Sequence, residues 1–368
     1  MIVLKGGCQL KQFITLLMCL LVMMPFGGCS SWQKGSYVSV TPHAGNHTGT
    51  VSAEQQASSY PQLRKALVNL VQNGADEGVI FLYDLSDEVV HSYMDAAVRY
   101  LTTEDPVGVY AVDEITYEVG MNAGRYALAV HIAYSRSRSE ILQIKYVGNI
   151  AEATEAIGDV LELCGNAIVL RIEEYEPTDF VHLVQSYAQR NANVIMETPQ
   201  VMTAVYPESG DSRLISLTFT YQTEQETLLK MQELVRPVFL SAELYVQGAS
   251  SDRGKLSQLY SFLMERHDYT YTSSPTPAYS VLQEGKGDCY AFACVYAGMC
   301  TQAGLDCTVV SGTRNGETWY WNLITLDDSH YHVDLLRSNQ TGMFQLYRDS
   351  DLLGYSWNAE LYSGGSEN

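Results

Sequence analysis

Leu63, Leu67, Leu70 and Val71 recur at the spacing of one helix face, and the unbroken apolar run Val79-Ile80-Phe81-Leu82-Tyr83 that follows has the length of a buried strand. A helical pattern over 89–101, a strand over 107–117, a glycine turn over 120–124 and an alternating strand over 126–134 complete a first segment, 60–147. The same order then returns over 151–235. It predicts a helix at 156–163, a strand at 168–172, a helix at 177–190 opened by Pro177, a strand at 194–206, a turn at Gly210 and an alternating strand at 214–221. In this register Val90-His91 stands beside Val181-His182, Thr116 beside Thr203 and Tyr134 beside Tyr221. The expectation is an internal repeat, α-β-α-β-β twice, packed as one α/β body or as two small lobes. The paired histidines fit a shared packing role, and neither copy carries a catalytic set.

Small and polar residues at 246–251 mark a domain boundary, and a third unit is expected over 252–368. It opens with an amphipathic helix over 255–267 that carries Leu256, Leu259, Tyr260 and Leu263 on one face. The N-terminal pattern is of another kind. Lys5 and Lys11 precede a nearly continuous apolar run over 13–26, too short for a comfortable membrane span, and Gly27-Gly28-Cys29 follows. This resembles an export signal ending in the bacterial lipobox, which implies a lipoprotein signal peptide over 1–29 and lipidation of Cys29. The protein would then be anchored to the outer face of the bacterial cytoplasmic membrane. Residues 30–59, rich in Ser, Gly, Thr and His without an apolar period, predict a flexible tether.

Composition adds little and excludes some classes. Hydrophobic residues make up 46% of 368, enough for real cores. A net charge of -20 speaks against a phosphate-binding surface, so no nucleic-acid partner is expected. Of eight cysteines, Cys8 and Cys19 leave with the signal and Cys29 is the lipidation site. Cys164, Cys289, Cys294, Cys300 and Cys307 form neither a disulfide framework nor a zinc pattern.

Candidate chemistry sits in the third unit. Gly285-Lys286-Gly287-Asp288-Cys289 enters a predicted helix containing Ala293. Gly304-Leu305, then Val309-Val310-Ser311-Gly312, then Trp321-Asn322-Leu323-Ile324, then Tyr331-His332-Val333-Asp334 follow in order. Together these segments, over 252–334, resemble the transglutaminase-like superfamily of papain-type thiol enzymes. The implied fold class is α+β, a papain-like C-terminal domain preceded by the duplicated α-β-α-β-β region. The resemblance makes Cys289 the nucleophile and Asp334 the acid that orients a histidine base. Independently of it, a cysteine at a helix N-terminus gains thiolate character from the helix dipole, and the N–H groups there suit an oxyanion. Glycines before Cys289 allow a sharp turn and close approach of substrate.

The base itself is absent. The family pattern is His, any residue, Trp, Asn, whereas this chain has Trp319-Tyr320-Trp321-Asn322, with Trp319 where the base belongs. Indole accepts no proton at neutral pH. His330, His332 and Asp334 alternate along one strand face, so His330 or His332 is a candidate substitute base. Gln283 is a candidate oxyanion donor, and Cys294, Cys300 and Cys307 are expected core thiols. No metal or cofactor is expected. Three readings stay open: a surface pseudoenzyme that binds peptide, protein or cell-wall material; an active cysteine peptidase or acyltransferase with a relocated base; and a functional binding module in the duplicated middle.

Overall fold

A computed structural model describes residues 55–362. The expected signal peptide, Cys29 and nearly all of the tether lie outside the described residues. No helix among those described is long and apolar enough to cross a membrane.

The first unit contains β1 (Gln55–Ala57), α1 (Tyr60–Gln72), β2 (Glu77–Leu82), α2 (Asp87–Thr103), α3 (Pro106–Ala111), β3 (Val112–Asn122) and β4 (Arg125–Tyr134). Its sheet runs β1-β2-β4-β3, with β1 parallel to β2 and the other pairs antiparallel. The apolar face of α1 and that of α2, with Leu63, Leu67, Leu70, Met94 and Leu101, close over Ile80, Leu128 and Val130. A short helix α4 (Arg138–Leu142) leads to β5 (Lys145–Val147), α5 (Ile150–Glu162), β6 (Ala167–Ile172), α6 (Phe180–Arg190), β7 (Gln200–Tyr206) and β8 (Arg213–Thr220). This second sheet runs β5-β6-β8-β7 with the same pattern of parallel and antiparallel pairs. One of its faces takes α5 and α6, while Leu214, Val169 and Tyr206 pack into the first unit's core.

Several expected boundaries move for local reasons. The opening strands β1 and β5 have three residues each, too short to leave a period in the sequence. Residues 106–111 are helical rather than the start of a strand. Asp105 caps them by accepting the Gly108 N–H at 2.8 Å, and Pro106 suits the first helical position. The helix expected from Pro177 begins at Phe180, because Asp179 accepts the N–H groups of Val181 and His182. His91 and His182 do not share one role. His91 bonds the Tyr117 hydroxyl, and His182 bonds Ser186 one turn along its own helix.

The C-terminal core begins before residue 252. Helix α7 (Gln225–Val246) runs through the expected end of the second unit and lays Val235, Phe239, Ala242 and Val246 onto that core. Then come α8 (Asp252–Met264), β9 (Asp268–Tyr269), α9 (Pro277–Leu282), β10 (Lys286–Gly287), α10 (Cys289–Gln302), β11 (Cys307–Arg314), β12 (Glu317–Leu326), β13 (Ser329–Val333), α11 (Leu335–Thr341) and β14 (Tyr355–Trp357). The main sheet runs β13-β12-β11-β14. Helix α10 is buried without a break from Ala291 to Cys300, as expected of a helix that is apolar all round. It packs on β12 through one polar tie, the buried Asn322 amide donating to the Ala293 carbonyl at 2.9 Å.

Candidate functional site

Cys289 is the first residue of α10. Asp288 is the cap, its carboxylate accepting the Ala291 N–H at 2.8 Å. Gly285 takes a positive φ of 77°, which makes the turn. Gly287 serves packing rather than substrate approach. A Cβ there would lie 2.5 Å from Val281 Cγ2 and 3.0 Å from Ala291 Cβ, so glycine alone lets α9 and α10 close up. The pairing of β13 with β12 stops at Asn322–Val333, and beyond it Asp334 and Cys289 lie against β12. These two side chains line one small space with Tyr320, Trp321 and Asn322.

The thiol's surroundings hold it protonated. Burial pushes the Cys289 thiol up, and the carboxylates of Asp288 and Asp334 push the same way. Backbone N–H groups of Tyr320 and Tyr290 oppose this and do not prevail. No cation or imidazole enters the balance, so the helix N-terminus alone does not deliver a thiolate.

Asp334 is the centre of a polar cluster. Its side chain is 2% exposed. Oδ2 accepts the Trp319 indole N–H at 3.0 Å, the Tyr355 hydroxyl at 2.6 Å and an Arg314 N–H at 3.4 Å. Oδ1 accepts the Arg337 backbone N–H at 2.9 Å and so caps α11. The Trp319 ring lies under the Arg314 guanidinium at 5.1 Å, and its other neighbour is Tyr269 at 6.5 Å. Outward from Trp319 opens a cleft of about 510 Å³ lined by aromatic, amide and charged side chains.

Residues 241–341 match the family model described as the transglutaminase-like superfamily. The C-terminal part of the chain is a transglutaminase-like domain. Among solved structures, one described as a TGase aligns at 14% identity over 46% of this chain and 50% of that one, with a TM-score of 0.27. A candidate cysteine protease from Cytophaga hutchinsonii aligns at 12% identity over 43% and 70%, with a TM-score of 0.26. A candidate protease from Parabacteroides distasonis aligns at 9% identity over 70% and 39%, with a TM-score of 0.23. The chain thus spans half the length of the TGase structure it resembles. No curated protein matches it.

Within the transglutaminase-like domain the structure brings Cys289, Asp334 and Trp319 together and keeps both candidate substitute bases elsewhere. His332 is buried on the other side of the sheet from α10, opposite Leu323 on β12, with its ring 4.8 Å from that of Trp357. Its Nδ1 accepts the Trp321 indole N–H at 2.9 Å, and its Nε2 bonds Asp349 at 3.1 Å. Both ring nitrogens are therefore engaged, and the ring bridges Trp321 and Asp349. His330, two residues back on the same strand face, is exposed beside Thr325. Gln283, the candidate oxyanion donor, is exposed and donates an amide N–H to the Leu234 carbonyl of α7 at 2.9 Å. Cys294, Cys300 and Cys307 are buried free thiols, as expected of core residues.

Burial pulls the His332 imidazolium down, and Asp349 opposes without reversing it. A folded value below the unfolded one means that the stability held by the neutral ring is present above about pH 6.5 and is lost as the pH falls through the folded value. Replacing His332 by Ala leaves the buried Trp321 N–H without its acceptor, a loss of about 1–3 kcal/mol from that group alone. Urea unfolding at pH 7 and pH 5 checks both statements. The variant is expected to be less stable than the parent at pH 7, with the difference narrowing at pH 5.

Sequence reasoning missed Arg314 and Tyr355, the other two partners of Asp334 Oδ2. For Arg314 a signal was present. Asn315-Gly316 joins β11 to β12 with φ of 53° and 85°, a two-residue hairpin turn that fixes Arg314 opposite Glu317 and near Trp319. Tyr355 comes from β14, which reaches Arg314 only through the fold.

Proposed function

We propose that this protein is a surface-tethered, non-catalytic member of its fold, which uses the transglutaminase-like domain to hold peptide, protein or cell-wall material without turnover. The tether is the segment after the lipidated Cys29, on the outer face of the bacterial cytoplasmic membrane. The observation that carries the reading is the 3.0 Å hydrogen bond from Trp319 Nε1 to Asp334 Oδ2. Asp334 binds an aromatic N–H, as it would in orienting a histidine, but the ring it holds accepts no proton.

Two further facts support the same reading. The thiol is pushed toward its protonated form. A relocated base requires an imidazole free at the sulfur, and His332 has both nitrogens engaged elsewhere.

The test is alkylation of Cys289 in the full chain by iodoacetamide as a function of pH, followed by mass spectrometry of the Cys289 peptide. The rate is expected to rise only above the ordinary thiol value of about 8.5 and to be indifferent to His330→Ala. Fast labelling at neutral pH, or hydrolysis or cross-linking of peptides that disappears in Cys289→Ala, overturns the reading.

A further inference from the structure

The chemistry at Cys289 does not use the cleft of about 510 Å³ beside Trp319. Its floor is a chain of three aromatic rings. Trp319 contacts Tyr269 at 6.5 Å, and Tyr269 meets Tyr271 edge-on at 5.0 Å. Tyr271 ends the row and is 91% exposed. The row is fixed from beneath, because Tyr269 lies in β9, paired with Gly287 of β10, and Trp319 is held by Asp334. The rings are tilted to one another, by 49° between Trp319 and Tyr269 and by 73° between Tyr269 and Tyr271, so Tyr271, left almost wholly in water beside two anchored rings, is the one that offers a free face to an apolar surface.

The remaining lining selects among ligands. Asn315, Asn339 and Gln340 bring planar amides, and Glu317 and Arg314 bring one charge of each sign. Amides both donate and accept, which suits hydroxyl and acetamido groups that do the same. An anionic ligand finds no free cation here, since Arg314 is bound to Asp334 and to Gln340, and the chain as a whole carries -20. Leu336 is the single aliphatic side chain in the lining, so there is no deep pocket for a lipid or an aliphatic side chain. The cleft's volume of about 510 Å³ lies within the usual range for ligand sites, about 300–1,000 Å³.

We infer that this cleft binds a neutral oligosaccharide, which lays a ring C–H face on Tyr271 while its hydroxyl and acetamido groups bond the amides and Glu317 and its next ring lies against the edges of Tyr269 and Trp319. The inference rests on the non-catalytic reading and narrows its ligand to one chemical class. It also gives Trp319 a use. The residue at the usual position of the base becomes the inner wall of the cleft.

The experiment is isothermal titration of the full chain with a β-1,4-linked tetramer of N-acetylglucosamine, with an uncharged peptide of similar mass in parallel. Saturable binding of the sugar is expected, weakened about tenfold or more by Tyr271→Ala, a loss of at least ~1.4 kcal/mol. Tyr271 is exposed, so the variant should keep the parent's circular dichroism and melting temperature. Cys289→Ala should bind as the parent does. Absence of sugar binding, equal binding by Tyr271→Ala, or binding of the peptide in preference to the sugar overturns the proposal. Cys289-dependent turnover with unchanged sugar binding overturns the non-catalytic reading and leaves the cleft standing.

Discussion

Trp319→His is expected to make Cys289 reactive. The substitution at Trp319 puts an imidazole at the one position where Asp334 Oδ2 already receives an aromatic N–H and from which the sulfur, set against the backbone of Tyr320, is one residue away. With one ring nitrogen donating to Asp334, the other is free to take the thiol proton. A cysteine so paired has its pKa brought below about 7.5, against a parent thiol held above the ordinary range by burial, Asp288 and Asp334. The alkylation rate at pH 7 should therefore rise about tenfold or more. The smaller ring costs stability, though less than the ~3–5 kcal/mol of full truncation to alanine. Trp319→Phe is the control. It opens similar space and offers no base, so its Cys289 should stay slow. Equal rates in the two variants would mean that the sulfur and the ring cannot meet, and that more than the base has been lost from this site.

The expected gain rests on the placing of Asp334, Trp319 and Cys289, and part of that arrangement was legible in the sequence. Cys289 was read at the start of a helix, whereas its Asp288 cap was not, although aspartate is a cap residue type. The ten buried positions of α10 stand in the sequence as an apolar run. The order of short segments from Gly285 to Asp334 pointed to the domain. What could not be read depends on which side of an element meets which neighbour. Alternation put His330, His332 and Asp334 on one strand face, but β13 ends at Val333 and Asp334 caps the next helix, and alternation cannot say that the face of the two histidines meets Trp321 and Trp357 rather than α10. Helix α7 was hidden for another reason. Pro237 lies inside it, and Leu234, Leu240 and Leu244 remain exposed along it, so neither its length nor a clean apolar stripe shows in the pattern. The shared strand order of the two N-terminal sheets likewise includes a three-residue strand in each that only backbone pairing reveals.

Asp334→Ala should be strongly destabilising, by about 3–5 kcal/mol, because it removes one partner of a largely buried ion pair. Arg314 would keep its charge at 20% side-chain exposure with only a 3.4 Å contact to Gln340. The Trp319 N–H and the Tyr355 hydroxyl would lose their acceptor, and α11 its cap. These losses join three strands and a helix. Arg314 ends β11, Trp319 is in β12, Tyr355 is in β14, and the Asp334 carboxylate is the atom group they share. Asp334→Asn separates the charge from the geometry. Its amide oxygen can still accept from Trp319, Tyr355 or the Arg337 N–H, so the hydrogen bonds partly survive while the compensation of Arg314 is lost. Urea unfolding should therefore rank the parent above Asp334→Asn and Asp334→Ala lowest. If instead Asp334→Ala unfolds like the parent, Asp334 is not a structural hub. Its retention beside a tryptophan would then need a ligand-bound role, which would be sought by repeating the sugar titration on that variant.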